Sequence, residues 1–326
     1  IKMSNLCQEI TLPTTPMQHI DDGDETDSEI ALCVLSAVNV GALRSLDELE
    51  DVCANIVRSL DAVIEHQYYP VNASKKMLKR RSIGVGITNL AYYLAKHGTR
   101  YDDPAACTVV DELMEHIQYY MIKASVELAK EKGPCEWFDR TKYSKGILPI
   151  DTYCKAVDKL VKRKLTLPWE KLRKQIKEHG MRNSTLTALM PCESSSLVTN
   201  STNGIEPPRG LLTIKKSKHG LIPQVVPEIY TLRNKYTLAF EMENNKGYTN
   251  ICAVIQKYID QSISGNHYYN FAKYETGNLP MSEVVHDLLY SYKVGLKTLY
   301  YANTEDGKTD KHIEDEDTDC AGGACK

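Results

Sequence analysis

Short apolar runs bounded by turn residues alternate with helical repeats along most of this chain, and that alternation limits the folds open to it. Ile83-Gly84-Val85-Gly86-Ile87 reads as a buried strand end or a point of close backbone approach. A helix through Leu90, Tyr93 and Leu94 follows and stops at Gly98. Thr185-Leu186-Thr187-Ala188-Leu189-Met190 is a second strand-like run, and a third apolar run ends at Thr298-Leu299-Tyr300-Tyr301. Between them lie helical patterns. Ser45-x-x-Glu48 has the spacing of a capping box, and Leu49, Val52, Cys53, Ile56, Leu60 and Val63 follow at helical spacing, with Cys53 as packing. Asp103-Pro104 supplies an N-cap and a first-turn proline for a long helix toward Gly133, and Trp169 to His179 is another, ended by Gly180. Further helical patterns run at about 227–240, 248–263 and 281–296. Repeated strand-then-helix units make this an α/β protein, with ligands expected at the C-terminal ends of its strands.

Composition narrows the function. With 326 residues, 42% of them hydrophobic, the chain can bury a large core. A net charge of -3 argues against a nucleic-acid or membrane-surface partner, because neutralising phosphates needs a basic excess. No apolar run approaches the roughly 18 residues that span a bilayer, so a cytoplasmic protein is expected. Ten cysteines without a Cys-x-x-Cys pair suit neither a disulfide framework nor a zinc ribbon; no metal site is expected. The basic run Lys75-Lys76-Met77-Leu78-Lys79-Arg80-Arg81 reads as a solvated helix face. Gly84-x-Gly86 lacks the third glycine of a dinucleotide fingerprint.

The residues capable of redox chemistry sit at the two ends. Asn5-Leu6-Cys7-Gln8-Glu9 opens the chain; in an extended segment closed by Pro13 and Pro16, Cys7 and Glu9 share a face, giving a thiol with its own base. A buried Cys beside an exposed Glu is the plainer alternative. Cys320-Ala321-Gly322-Gly323-Ala324-Cys325 closes the chain after an acidic stretch that cannot bury itself, and reads as a dithiol arm or as a frayed end. Cys7 comes within seven residues of the start, so either a longer polypeptide was cut or a separate chain supplies the missing scaffold. In the middle, Pro191-Cys192-Glu193-Ser194-Ser195-Ser196 joins a strand to a helix start, where hydroxyls and free backbone N–H groups suit a phosphate. An ordinary serine-rich N-cap fits the same residues. Asn203 to Gly210 is too rich in turn formers to be regular structure. Tyr-Tyr occurs at 68, 92, 119, 268 and 300, and only the last pair ends an apolar run just before the tail.

Taken in order, Asn5 to Ile10, Glu29-Ile30-Ala31-Leu32-Cys33, Ala188-Leu189-Met190-Pro191 with its serines, Asn203 to Arg209, Lys297 to Tyr301 and the Cys320/Cys325 tail resemble the large, catalytic subunits of class I ribonucleotide reductases, in their C-terminal half. The resemblance implies the C-terminal half of a ten-stranded α/β barrel over residues 1–303, with a finger loop near 1–16, and a flexible acidic tail over 304–326. It implies reduction of ribonucleoside diphosphates by a thiyl radical on Cys7, with Glu9 accepting the 3′-OH proton and Asn5 bonding the ribose. Cys33 is then one of the pair that reduces the 2′ position. Tyr300 and Tyr301 relay the radical, and Cys320 and Cys325 re-reduce the site by exchange. Glu193, Ser194, Ser195 and Ser196 hold the diphosphate.

The resemblance also implies partners. The radical comes from a metal-containing small subunit, electrons come from thioredoxin or glutaredoxin, and no cofactor binds this chain directly. Allosteric ATP and dNTP sites are expected on a missing N-terminal half, without which the chain is inactive. Cys192 departs from the pattern, putting an extra thiol beside the phosphate loop. A glycyl-radical enzyme would need a C-terminal glycine-radical segment, a simple thiol-disulfide oxidoreductase leaves the serine loop and Glu9 unexplained, and a non-catalytic subunit leaves the filled catalytic positions unexplained.

Overall fold

The computed structural model describes residues 4–17, 27–217, 220–305 and 313–315. Cys320 and Cys325 lie outside the described residues.

Strand β1 (Val34–Asn39) runs parallel to β2 (Ile83–Thr88), with Val34 opposite Ile83 and Asn39 opposite Thr88. Parallel bridges continue the pairing from Val85 to Thr187 and from Leu189 to Ile263. Beyond them β5 (His267–Asn270) pairs in parallel with β6 (Ala302–Glu305). β1, β2, the segment through Thr187 and Leu189, the segment from Ile263 into β5, and β6 make five segments that follow one another in chain order, all parallel, with helices in the connections. This is the α/β arrangement expected from the alternation of apolar and helical runs. Apart from it, β3 (Leu212–Ser217) and β4 (Gly220–Val225) form an antiparallel hairpin, and β7 (Ile313–Asp315) runs parallel to β3.

Every residue of β2 is buried, as a strand covered on both faces must be. Its two glycines answer to space. A Cβ on Gly84 would lie 2.7 Å from Leu35 Cδ2 and 2.9 Å from Cys33 Sγ, and one on Gly86 would lie 3.0 Å from the Ala188 carbonyl. The Gly-x-Gly is thus a close-approach device that lets a thiol and a neighbouring strand in.

The helix Leu49–His66 packs on the helix Pro104–Lys132 with Cys53, Val57 and Ile64 fully buried. The Asp103 carboxylate accepts from Ala105 N at 2.8 Å and caps the second helix, which stops at Gly133 with φ of 80°. Trp169–His179 forms as expected and ends at Gly180. The Ser45/Glu48 capping box does not form: a 3₁₀ turn over Leu46–Glu48 precedes the helix, and the Glu48 carboxylate accepts from Arg44 N at 3.0 Å instead. Of the helix expected at about 227–240 only Ile229–Leu232 and a 3₁₀ turn to Lys235 are present.

The pattern at 248–263 gives way sooner, because the helix Lys246–Gln256 is followed by a turn and then by a strand-like segment from Gln261. Ile259 before that segment and Ile263 within it are both buried, so apolar spacing continues across the change of structure without a glycine to mark it. Among the described residues no helix is long and apolar enough to cross a membrane.

Candidate active site

Residues Asn5 to Gln8 form a turn rather than the extended segment expected, closed by Gln8 N–H to the Asn5 carbonyl at 3.2 Å. Gln8 takes a positive φ of 68°, a conformation costly for a residue with a Cβ and held here by the surrounding bonds. Asn5 fixes both sides of the turn. Its Oδ1 accepts from Ile10 N at 3.0 Å, and its Nδ2 donates to Glu9 Oε1 at 2.9 Å. Glu9 is buried, 2% exposed, so its second oxygen also needs a partner; Ser264 Oγ lies 3.1 Å from Oε2. The same hydroxyl donates to the Cys7 carbonyl at 2.6 Å. The Cys7 carbonyl and the Glu9 carboxylate are therefore joined through one serine in a turn, not set by the alternation of a strand.

The Cys7 thiol donates to the Tyr300 hydroxyl at 3.5 Å. Tyr300 lies against Tyr301, with ring centroids 3.8 Å apart and planes 31° from parallel. Burial, the hydrogen bond with Cys7 and the Tyr301 hydroxyl all push the Tyr300 phenol up, so it stays protonated. Tyr301 is 42% exposed. Sulfur, inner ring and outer ring thus form a line from the turn to the surface.

Cys33 stands just before β1. Gln261 Nε2 donates to its sulfur at 3.4 Å. Burial pushes this thiol up to about 12, the Glu9 and Asp260 charges add to the rise, and the Gln261 amide opposes it. The stretch leading to Cys33 is anchored on the same loop. Thr15 and Glu29 exchange backbone hydrogen bonds at 3.0 Å, and Arg80 pairs with the Glu29 carboxylate, its Nη2 donating at 3.0 Å.

One segment, Gln261 to Asn266, holds all of these parts, and the sequence reading missed it. Gln261 Oε1 accepts from Thr11 N at 3.2 Å while its amide nitrogen reaches Cys33, and Ser262 N donates to the Glu9 carbonyl at 2.9 Å. Gly265 O accepts from Tyr300 N at 2.7 Å, and Asn266 Oδ1 from Tyr301 N at 3.0 Å. Lys297 reinforces the link by donating to the carbonyls of Asp260 at 2.8 Å and Gln261 at 2.6 Å; burial brings its ammonium down to about 8. The polar residues at 261, 262, 264 and 266, clustered around the single isoleucine Ile263, were the available signal.

The serine run becomes the short helix Glu193–Val198. Ser194 and Ser195 are exposed, with Ser195 Oγ donating to the Cys192 carbonyl at 3.2 Å. Ser196 is fully buried and donates to the Glu193 carbonyl at 2.9 Å. Asn203 clasps the start of the helix, its Oδ1 accepting from Cys192 N at 2.8 Å and its Nδ2 donating to Glu193 Oε1 at 2.5 Å. A small cavity of about 60 Å³ opens beside Glu193 and Asn203 and reaches Arg209 and the base of the β3–β4 hairpin. Cys192 is buried beneath the loop, with Ile87 O 3.7 Å and Met190 Sδ 3.9 Å from its sulfur, and burial pushes its thiol up to about 12. The eight cysteines among the described residues are all reduced.

A family model for the barrel domain of ribonucleotide reductase matches residues 1–243 and 230–302. The chain is 54% identical to the ribonucleoside-diphosphate reductase subunit alpha of Haemophilus influenzae, 50% to the corresponding subunit 1 alpha of Escherichia coli and 43% to that of the phage T4. Each alignment covers 100% of this chain and 43% of the relative, so the chain spans less than half the length of the curated relatives it matches. On both the family match and these identities, the chain belongs to the ribonucleotide reductase barrel-domain family.

Proposed function

We propose that this chain is the catalytic, C-terminal part of a ribonucleoside-diphosphate reductase. The observation that carries the reading is the line Tyr301, Tyr300, Cys7, which ends on a sulfur whose own turn holds the buried carboxylate of Glu9. Two phenols in ring contact leading to a thiol give a route for a radical from a protein surface to an interior sulfur. The Cys7 thiyl would take the 3′ hydrogen of the ribose, Glu9 would accept the 3′-OH proton, and Asn5 would bond the sugar. Cys33, held as a neutral thiol, would supply a hydrogen toward the 2′ position and become disulfide-bonded to a partner thiol on the companion chain, the pair giving up two electrons. The exposed hydroxyls of Ser194 and Ser195, with the backbone N–H groups opening the Glu193–Val198 helix, would bind the diphosphate, and Glu193 and Ser196 would shape that turn.

The five parallel segments are read as half of a ten-stranded barrel, with Asn5 to Thr11 as the finger loop. Among the described residues, β1 is paired on one edge only, and Leu35 on it is 40% exposed. An uncovered edge of this kind needs another chain. The N-terminal part of the subunit is its proposed occupant, in an obligate interface of roughly 2,000 Å² or more. A metal-containing small subunit would bring the radical to Tyr301, and Cys320 and Cys325 would pass electrons from thioredoxin or glutaredoxin to Cys33 and its partner.

The test mixes this chain with a polypeptide carrying the N-terminal part and with a radical-bearing small subunit, and measures deoxyribonucleoside diphosphate. Product is expected only from the complete mixture. Product from this chain alone, or none from an assembled complete mixture, would overturn the reading.

A further inference from the structure

We propose that Ser264 is a positioning residue that couples proton uptake by Glu9 to the placement of Cys7; this rests on the reductase reading above. A hydroxyl carries one proton and two lone pairs. Ser264 Oγ has two acceptors within reach, the Cys7 carbonyl at 2.6 Å and Glu9 Oε2 at 3.1 Å. The hydroxyl donates to both, so its one proton is shared between them while Glu9 is ionised. That sharing takes place inside a pocket where Ser264 is 3% and Glu9 2% exposed.

An ionised carboxylate accepts from that hydroxyl, whereas a protonated one can donate to its oxygen. When Glu9 accepts a proton from a ribose hydroxyl, Oε2–H can therefore bond to Ser264 Oγ at once. Ser264 then donates its own O–H wholly to the Cys7 carbonyl. Only one proton moves, from the sugar oxygen to Glu9, and no electrons pass through Ser264. Meanwhile Asn5 Nδ2 holds the other carboxylate oxygen at 2.9 Å, so the carboxyl group does not rotate away. The turn carrying Cys7 is kept in register with the base through the whole step.

The backbone of Ser264 is tied independently, its N–H donating to the Leu189 carbonyl at 2.9 Å. Ser264→Ala therefore removes the hydroxyl and leaves the strand anchored. In the complete enzyme, Ser264→Ala is expected to lower kcat by about tenfold to a hundredfold, the loss of a hydrogen bond to a charged group, with KM within about twofold. Its solvent deuterium isotope effect on turnover should rise, because proton uptake becomes limiting. Ser264→Thr, which keeps the hydroxyl, should recover most of kcat.

An alanine variant with wild-type kcat and isotope effect would overturn this proposal alone. So would a loss shared by alanine and threonine with the isotope effect unmoved, which is what a merely structural serine gives. An assembled wild-type complex that makes no product would overturn the reductase reading and this proposal with it.

Discussion

The thiol of Cys7 meets the hydroxyl of Tyr300 at 3.5 Å across 293 residues of chain. Both ends of that contact are fixed by backbone bonds to one segment, Ser262 N to the Glu9 carbonyl and Gly265 O from Tyr300 N. The contact is thus built into the fold rather than left to two free side chains. Tyr300→Phe removes the hydroxyl and keeps the ring. Turnover in the complete enzyme should stop while substrate binding stays within about twofold, because a phenylalanine cannot carry a phenoxyl radical. Tyr301→Phe should behave the same way. Equilibrium binding of a nucleoside diphosphate beside single-turnover product checks this, and full activity in either variant would move the relay elsewhere.

Cys33 should be a sluggish nucleophile. Its thiol is pushed up to about 12, chiefly by burial, so the thiolate that reacts with alkylating agents is scarce near neutrality. Labelling by iodoacetamide, located by peptide mass, should be slow at about pH 8 compared with an ordinary thiol of pKa near 8.5, and should rise steadily toward pH 11. Fast labelling of folded protein at neutral pH would contradict the burial argument. The same shift has a stability sign. Between about pH 8.5 and 12 the unfolded thiol ionises while the folded one keeps its proton, so the unfolded state binds fewer protons and stability falls as pH rises. Cys53, Cys192 and Cys252, also pushed up to about 12, act in the same direction. Urea midpoints measured from pH 8 to 11 should decline, and a flat profile would contradict the shared effect.

Gly84→Ala should be costly although the change is one methyl group. The new Cβ would sit 2.7 Å from Leu35 Cδ2 and 2.9 Å from Cys33 Sγ, and β2 is buried on both faces. Overpacking of this kind costs about 1–3 kcal/mol. It should also displace Cys33 and speed its alkylation. An unchanged denaturation midpoint would mean that the strand yields more readily than its burial implies.

Cys320→Ser and Cys325→Ser should spare the first turnover and most of the activity with dithiothreitol, yet lose activity with thioredoxin, because an exchange arm only shuttles electrons. Equal loss with both reductants would put these cysteines inside the site itself.

Two of the strands and the long helices were legible because their signals are local, whereas β1, the β3–β4 hairpin, β5 and β6 were not read. Asp103-Pro104 announces a cap, Gly133 and Gly180 announce ends, and Ile83 to Ile87 and Thr185 to Met190 are short apolar runs. The Gly84-x-Gly86 approach was legible as a demand for space, though not the thiol that fills it. Residues 261–266 were hidden because a helix and a buried strand in succession both carry apolar residues, so a helical count runs on from Lys246–Gln256 into the segment that binds the site together. The local structure around Cys7 and Glu9 was not anticipated. An extended segment was expected, whereas the chain turns at Asn5 to Gln8 and the Ser264 hydroxyl bridges the Cys7 carbonyl and the Glu9 carboxylate.

The most direct measurement is single-turnover reduction of a ribonucleoside diphosphate by the complete enzyme carrying Cys7→Ser. Cys7 lies on a half-exposed turn whose backbone bonds do not involve its sulfur, so the variant should assemble and bind substrate as the wild type does. The account predicts no deoxynucleotide, since a serine oxygen cannot take the place of the thiyl radical, and wild-type turnover in the serine variant would contradict it.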